Sequence, residues 1–295
     1  MNLELFDGTD TILANYWDWT SGKVPEVNSV VDVVGNVTEW SGNKQLTIMK
    51  LTNNTEVSIS SFTPKSDYNI YEVYKDCYAL ASDISDPVFN ALCTGLLDVL
   101  ISKWQSVPGA KSVHHAYLGG TLIHSYSVAC IAKAIAEKVE GANVDLCVAG
   151  GLLRDIGKLY TYTLDKANIT FTDDGLLFEH VFIGAEFVGN FADEIIPMSN
   201  KNIQKVAILR HIILSHHGSL EFGSPVLPAC IEAHIVHHAD ALDAAAESIR
   251  TASKKCGEAK WTERIWSLGN GPSLSTKYVE SIMQKEEIEE NLQEE

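Results

Sequence analysis

GLLRDIGK, Gly151–Lys158, carries an Arg-Asp pair inside an otherwise apolar run. From Val144 to Lys158 the apolar residues Leu146, Ala149, Leu152, Leu153 and Ile156 recur at helical spacing, which predicts one mostly buried helix. A charge carried into such an interior needs a partner. Candidate partners lie on other segments: His124 in GGTLIHS, His180 in LLFEH, His216 and His217 in ILSHHGS, and Asp240 in HHADALD. Imidazole and carboxylate ligands delivered by separate helices are how an all-helical protein builds a site for a divalent transition metal. One such histidine alone is more often a surface or core residue; the ordered set is what points to a metal.

Working outward, 295 residues suffice for one large domain or two and for a substantial core. No apolar run reaches the roughly 18 residues of a membrane span. MNLELFDGTD lacks the basic and apolar regions of a secretion signal, so the expectation is a soluble, cytoplasmic protein without membrane contact. The six cysteines, Cys77, Cys93, Cys130, Cys147, Cys230 and Cys256, fall in apolar contexts without a C-x-x-C pair and read as reduced core residues. A net charge of -17 argues against broad adhesion to nucleic acid, which phosphate neutralisation drives. It leaves room for a nuclease that holds one chain end through a metal and a few local cations. Part of the imbalance sits in the tail KEEIEENLQEE, expected to be a solvated helix end.

The first part of the chain reads as β-structure. LELF and TILANYW flank Asp7-Gly8, and SVVDVVGNVTEW and KQLTIMKL flank Ser41-Gly42-Asn43, giving two hairpin signals and four strands. An OB-fold has five strands, so this is an abbreviated one that lacks its first strand or two. Trp17, Trp19 and Trp40 are candidates for stacking on single-stranded bases, against the plainer reading that they fill the barrel's core. Thr63-Pro64 ends the region. Helices are predicted from Tyr68 to about Leu80, from Asp86-Pro87 to Pro108-Gly109, from Thr121 to Val139, from Asn202 to His217 and from Ala229 to Ser253. A short hairpin, YTYTL and NITFT, precedes the helix carrying His180.

The order His, x-Asp-x-Gly-Lys, His, His-His, Asp resembles the HD-domain phosphohydrolases. More narrowly, HHAYLGGTLIHS, LLRDIGKLY, LSHHG, FGSPVLP and EAHIVHHADALDA, with LFDGTDTILANYWD and GNKQLTI, are similar to the YhaM family. These are bacterial exoribonucleases that join an N-terminal OB-fold to an HD domain and degrade nucleic acid from the 3′ end. The likeness covers nearly the whole chain to about residue 280. It implies a mainly α fold, an HD-domain helical bundle preceded by a small, truncated OB-like β domain. The expected divisions are an OB-like domain over 1–62, a helical linker over 63–110, the HD domain over 111–255 and a C-terminal segment with an acidic tail over 256–295.

By the same resemblance, His124, Asp155, His180, His216, His217 and Asp240 match metal-ligand positions, Asp155 being able to bridge two ions. Lys158 matches a lysine that approaches substrate phosphate, and Asp155 and Lys158 are the catalytic pair. His115, before the helix of His124 and next to His114, and Arg210 are candidates for phosphate or sugar contacts, as Arg154, Trp17 and Trp40 are for the substrate. His234, His237 and His238 would line or support the site. The implied cofactor is a divalent metal, Mn²⁺ first, with Mg²⁺, Fe²⁺, Co²⁺ or Ni²⁺ as alternatives, bound as one or two ions.

Arg154 is the departure. In the HD family the residue before the aspartate is a metal-binding histidine, and a guanidinium has no lone pair to offer. The ion that would use His124 and Asp240 should be weakened, while one served by Asp155, His180 and the His216/His217 pair keeps its ligands. Arg154 then becomes a fixed charge against Asp155 or Asp240, or turns bidentately towards substrate phosphate. Three functions follow: a weakened 3′–5′ exoribonuclease acting on single-stranded RNA or also single-stranded DNA, a phosphohydrolase of small nucleotides, or a degenerate HD protein serving as a binding or assembly subunit. A homo-oligomer is expected in each case.

Overall fold

The structure is a computed structural model and describes the chain apart from residues 9–10, 18, 20–23, 41–42, 63–65, 111–114, 116, 166–167, 198 and 294–295. The turn expected at Ser41-Gly42, the boundary at Thr63-Pro64 and His114 fall outside the described residues. The chain divides into two compact units: Met1–Asp67 with Thr163–Thr170, and Tyr68–Tyr162 with Phe171–Glu295.

In the first unit, β1 (Asn2–Phe6), β2 (Thr11–Asn15), β3 (Val31–Trp40) and β4 (Asn43–Asn53) form a sheet in the order β1-β2-β4-β3. The hairpin predicted at Asp7-Gly8 pairs β1 with β2 antiparallel, Leu3 opposite Ala14. β3 and β4 also pair antiparallel, and the two hairpins join through one parallel pairing, Leu13 beside Gln45 and Asn15 beside Thr47. The register shifts where Val34 and Gly35 of β3 pair with Lys50 and Ile48, leaving Met49 of β4 unpaired in the ladder. A Cβ at Gly35 would stand 2.4 Å from the Thr47 carbonyl oxygen, so only glycine lets the strands approach there.

The second unit is helical. α1 (Ile70–Ser82) starts at Asn69, whose side chain accepts from the Tyr71 and Glu72 amides. α2 (Pro87–Val99) starts as its sequence predicts, with Asp86 accepting from the Val88 amide and proline in the first turn. α3 (Ile101–Ser106) and α4 (Gly120–Ala136) follow. α5 (Val144–Leu153) is buried from Leu146 to Leu153 and packs against α1, α2, α4, α8 and α9, which is the place for a helix apolar on all sides.

The continuous helix expected to Lys158 is not continuous. α5 ends at Leu153, and α6 (Lys158–Thr161) starts after a turn of i→i+3 bonds, Ile156 N–H to the Leu153 carbonyl and Lys158 N–H to the Asp155 carbonyl. That turn places Asp155 between two helices. After the hairpin β5 (Tyr162–Asp165) and β6 (Asn168–Phe171) come α7 (Asp173–Ile195), α8 (Asn200–Ser215) and α9 (Ile231–Cys256). A second hairpin, β7 (Trp261–Ile265) with β8 (Gly271–Leu274), precedes α10 (Thr276–Gln293). The architecture is mainly α with a small β region. Among the described residues no helix is long and apolar enough to cross a membrane.

Candidate metal centre

Four helices of the second unit bring their polar residues to Asp155. His124 lies in the second turn of α4, His180 in α7, His216 and His217 just past the end of α8, and Asp240 in α9. Asp155 itself is 1 % exposed. Its Oδ1 stands 3.5 Å from His180 Nε2 and 3.6 Å from His216 Nε2. Its Oδ2 accepts from Lys158 Nζ at 2.9 Å and lies 3.5 Å from His124 Nε2 and 3.4 Å from Arg154 Nη2. Burial works to raise the Asp155 pKa; the Lys158 ammonium and the Arg154 guanidinium outweigh it and hold the carboxyl well below its ordinary range.

Among the described residues the ligand atoms form three groups, one of them His115, His124 and Asp243. His180, His216 and His217 offer nitrogens within 4.8 Å of one another, and His124, Asp155 and Asp240 form the second such group. Asp155 Oδ1, His180 Nε2 and His217 Nδ1 are buried without a hydrogen-bond partner. A buried polar atom left unpaired costs about 1–3 kcal/mol, and Asp155 Oδ1 facing the unpaired His180 Nε2 at 3.5 Å fits a cation that uses both lone pairs. Separations of 3.5 and 3.6 Å are too long for hydrogen bonds and suit neighbouring ligands about one ion.

The second group is already supplied with a cation. Arg154 is fully buried; its Nε donates to Asp240 Oδ1 at 2.8 Å and its Nη1 to the Gly151 carbonyl at 2.6 Å. His124 Nε2 approaches the same Asp240 oxygen at 3.0 Å. Of the two orientations open to Arg154, the structure shows the one set against Asp240 and Asp155. Burial opposes ionisation of Asp240 and the Arg154 charge more than offsets it, leaving its pKa well below the usual value.

Packing fixes these positions closely. A Cβ on Gly157 would fall 1.9 Å from the His180 carbonyl oxygen, so the glycine of RDIGK is what lets α7 approach the Asp155 turn. Gly218, at φ +75°, ends the His-His turn; a Cβ there would lie 2.2 Å from the His237 ring, whose Nδ1 is 2.8 Å from the His216 carbonyl oxygen. His237 therefore supports the site through the backbone. α7 breaks at Glu179, φ 60° and ψ 154°, immediately before His180. An L-residue held there costs on the order of 1–3 kcal/mol.

Sequence reasoning did not find Asp243. Its Oδ2 accepts from His124 Nδ1 at 2.6 Å and His115 Nε2 at 2.9 Å, and its Oδ1 from Ser127. The i,i+3 spacing of Asp240 and Asp243 in ADALD was the available signal, since it puts both acids on one helix face. His115 does not present itself to a phosphate: it is 4 % exposed, with Nε2 on Asp243 and Nδ1 on the Tyr117 hydroxyl. Arg210 is not brought to the cluster either. Its Nε donates to the Ala185 carbonyl, and it lines a cavity of about 170 Å³ between α7 and α8 with Gly189 and Asp193. Trp17 is exposed in the first unit, Trp19 packs edge-on to Tyr16, and the Trp40 side chain lies outside the described residues.

Residues 121–245 match the HD domain family. The matched span contains all six expected ligand positions together with Arg154 and Lys158. An HD domain implies a metal-dependent phosphohydrolase, and the buried His/Asp donor set suits a divalent metal. No solved structure matches the chain.

Burial also gives the metal-free centre a pH dependence. Burial first, then the neighbouring His216 and His180, lowers the His217 pKa from 6.5 to about 3; burial likewise lowers that of His180. Both imidazoles then stay neutral in the fold while the unfolded chain takes up protons below pH 6.5. Stability is full above that pH and falls as pH drops from about 6.5 towards 3 through His217, by up to about 1.4 kcal/mol per pH unit, with His180 acting in the same direction. Denaturant titrations of the metal-free protein at pH 7.5, 5.5 and 4.5 check this; equal stability at all three would contradict it.

Proposed function

We propose that the chain is a 3′–5′ exoribonuclease that holds one Mn²⁺ and releases nucleoside monophosphates from single-stranded RNA. One observation carries the hydrolase reading: Asp155 Oδ1 and His180 Nε2 face each other 3.5 Å apart, both buried and without a hydrogen-bond partner. Asp155, His180, His216 and His217 would hold the ion. When bound, such an ion supplies a water acidic enough to ionise near neutral pH and Lewis-acid relief at the phosphoryl oxygens.

The chain's own groups set the surroundings. Lys158 is a fixed ammonium beside Asp155, placed to offset phosphoryl charge. Arg154 contributes charge and neither a ligand nor a base. The carboxylates of Asp155, Asp240, Asp243 and Glu179 exceed Arg154 and Lys158 by two negative charges, which one divalent ion would offset.

The polymer preference rests on the β unit and on the likeness to the YhaM family. An OB barrel has five strands, and its two hairpin-linked parts meet through one parallel pairing. The order β1-β2-β4-β3, with β2 and β4 parallel, is what remains when the first strand is absent. Trp17, 72 % exposed, is available for stacking on a base. The outer strands β1 and β3 are where a second copy would pair, and a homo-oligomer belongs to this reading.

The charge of -17 favours a second reading, hydrolysis of small nucleotides. Incubating 5′-labelled RNA and a nucleotide panel with Mn²⁺ separates the two. Stepwise shortening from the 3′ end with release of monophosphates is expected, and hydrolysis confined to the nucleotides would replace the exonuclease reading. A folded protein that takes up no metal would favour a binding or assembly subunit.

A further inference from the structure

The break in α7 at Glu179 falls directly before a residue of the centre. The Glu179 backbone adopts φ 60° and ψ 154°, a conformation that favours glycine, although the residue is a glutamate. Its consequence is local. The His180 carbonyl oxygen comes against Gly157, where a Cβ would have only 1.9 Å, and the ring turns so that Nε2 faces Asp155 Oδ1 at 3.5 Å. The Glu179 side chain, 67 % exposed, puts Oε2 3.8 Å from the other ring nitrogen, Nδ1. That is ion-pair range, longer than a direct hydrogen bond, and a small rotation of an exposed glutamate closes it.

We propose that Glu179 is a positioning residue for His180: its backbone aims the ring at Asp155 and its carboxylate accepts from Nδ1–H, leaving the Nε2 lone pair for a cation. A carboxylate or carbonyl behind a ligand imidazole fixes the tautomer and the ring's orientation, and losing it costs about 10–100-fold in metal affinity. His180 Nε2, buried and unpartnered, is the atom this arrangement prepares. The His216 and His217 rings flank that of His180 at separations of 5.6 and 5.1 Å. The inference rests on the one-metal reading above.

The test compares Glu179→Gln, which keeps the backbone and removes the anion, with Glu179→Gly, which removes both the anion and the strain. Mn²⁺ affinity is measured by chelator competition, and melting of the metal-free proteins is followed in parallel. Both variants should bind Mn²⁺ about 10–100-fold more weakly. Glu179→Gly should melt higher than the parent, and Glu179→Gln should melt with it. Unchanged affinity in both variants overturns the role of the carboxylate, and a glycine variant that melts no higher than the parent overturns the role of the backbone. The imidazole ¹⁵N shifts of metal-free His180 judge the proposal separately. The parent should show the Nδ1–H tautomer and Glu179→Gln a mixture; an Nε2–H tautomer in the parent refutes the proposal even if Mn²⁺ binds. A parent that binds no Mn²⁺ but shows the Nδ1–H tautomer would refute the one-metal reading alone.

Discussion

Arg154→His is expected to raise bound Mn²⁺ from one ion per chain to two and to increase phosphodiester turnover on the order of tenfold or more, about 1.4 kcal/mol of barrier. The reason lies in where the guanidinium sits. It binds Asp240 through Nε at 2.8 Å and approaches Asp155 Oδ2 at 3.4 Å, the oxygens that converge with His124 Nε2 in the second ligand group. A fixed single charge occupies the place of a divalent ion. Imidazole would vacate it and add a donor.

The variant should also be less stable without metal, because Asp240 and Asp155 lose a buried cation and gain only a neutral ring. Mn²⁺ should restore that loss, since an ion bound only by the folded state at 100 times its dissociation constant adds about 2.7 kcal/mol. Metal analysis after gel filtration and melting with and without Mn²⁺ read both effects. If stoichiometry stays at one ion, Arg154 does not hold the second position. If the parent holds none and the variant one, Arg154 blocks the whole centre and the one-metal reading falls.

Much of this centre was legible because its chemistry is written in single residues. His124, Asp155, His180, His216, His217 and Asp240 were singled out by donor type and order, and the structure gathers them. What stayed hidden was set by tertiary packing. The turn at Asp155 interrupts an apolar pattern that reads as unbroken helix, and its cause, Gly157 against the His180 carbonyl, lies on another helix. The break at Glu179 has no local signal, since glutamate is an ordinary helix former. His115 was singled out by the resemblance as a phosphate or sugar contact, while its bond to Asp243 depends on a residue 128 positions away. The hairpin β7–β8 is different: the turn residues Gly269-Asn270-Gly271 were there to read, between short strands with too little alternation to stand out.

Asp155→Asn should abolish metal binding and hydrolysis together and should destabilise the metal-free protein by about 3–5 kcal/mol, the usual cost of breaking a buried ion pair by removing one partner. The substitution is nearly isosteric, so no cavity accounts for such a loss. Its origin is charge. Lys158 Nζ, 2.9 Å from Asp155 Oδ2 and 8 % exposed, would keep a buried ammonium with no anion against it, and Arg154 would lose one of its two carboxylate neighbours. The loss can be assigned by adding Lys158→Met, which removes the stranded ammonium. The double variant should recover most of the stability and none of the metal binding. Recovery of stability without metal shows that Asp155 balances charge and ligates through separate contacts, Oδ2 to lysine and Oδ1 to the cation. An Asp155→Asn protein as stable as the parent would mean that Lys158 is not committed to Asp155, and the charge balance drawn for the centre would be wrong.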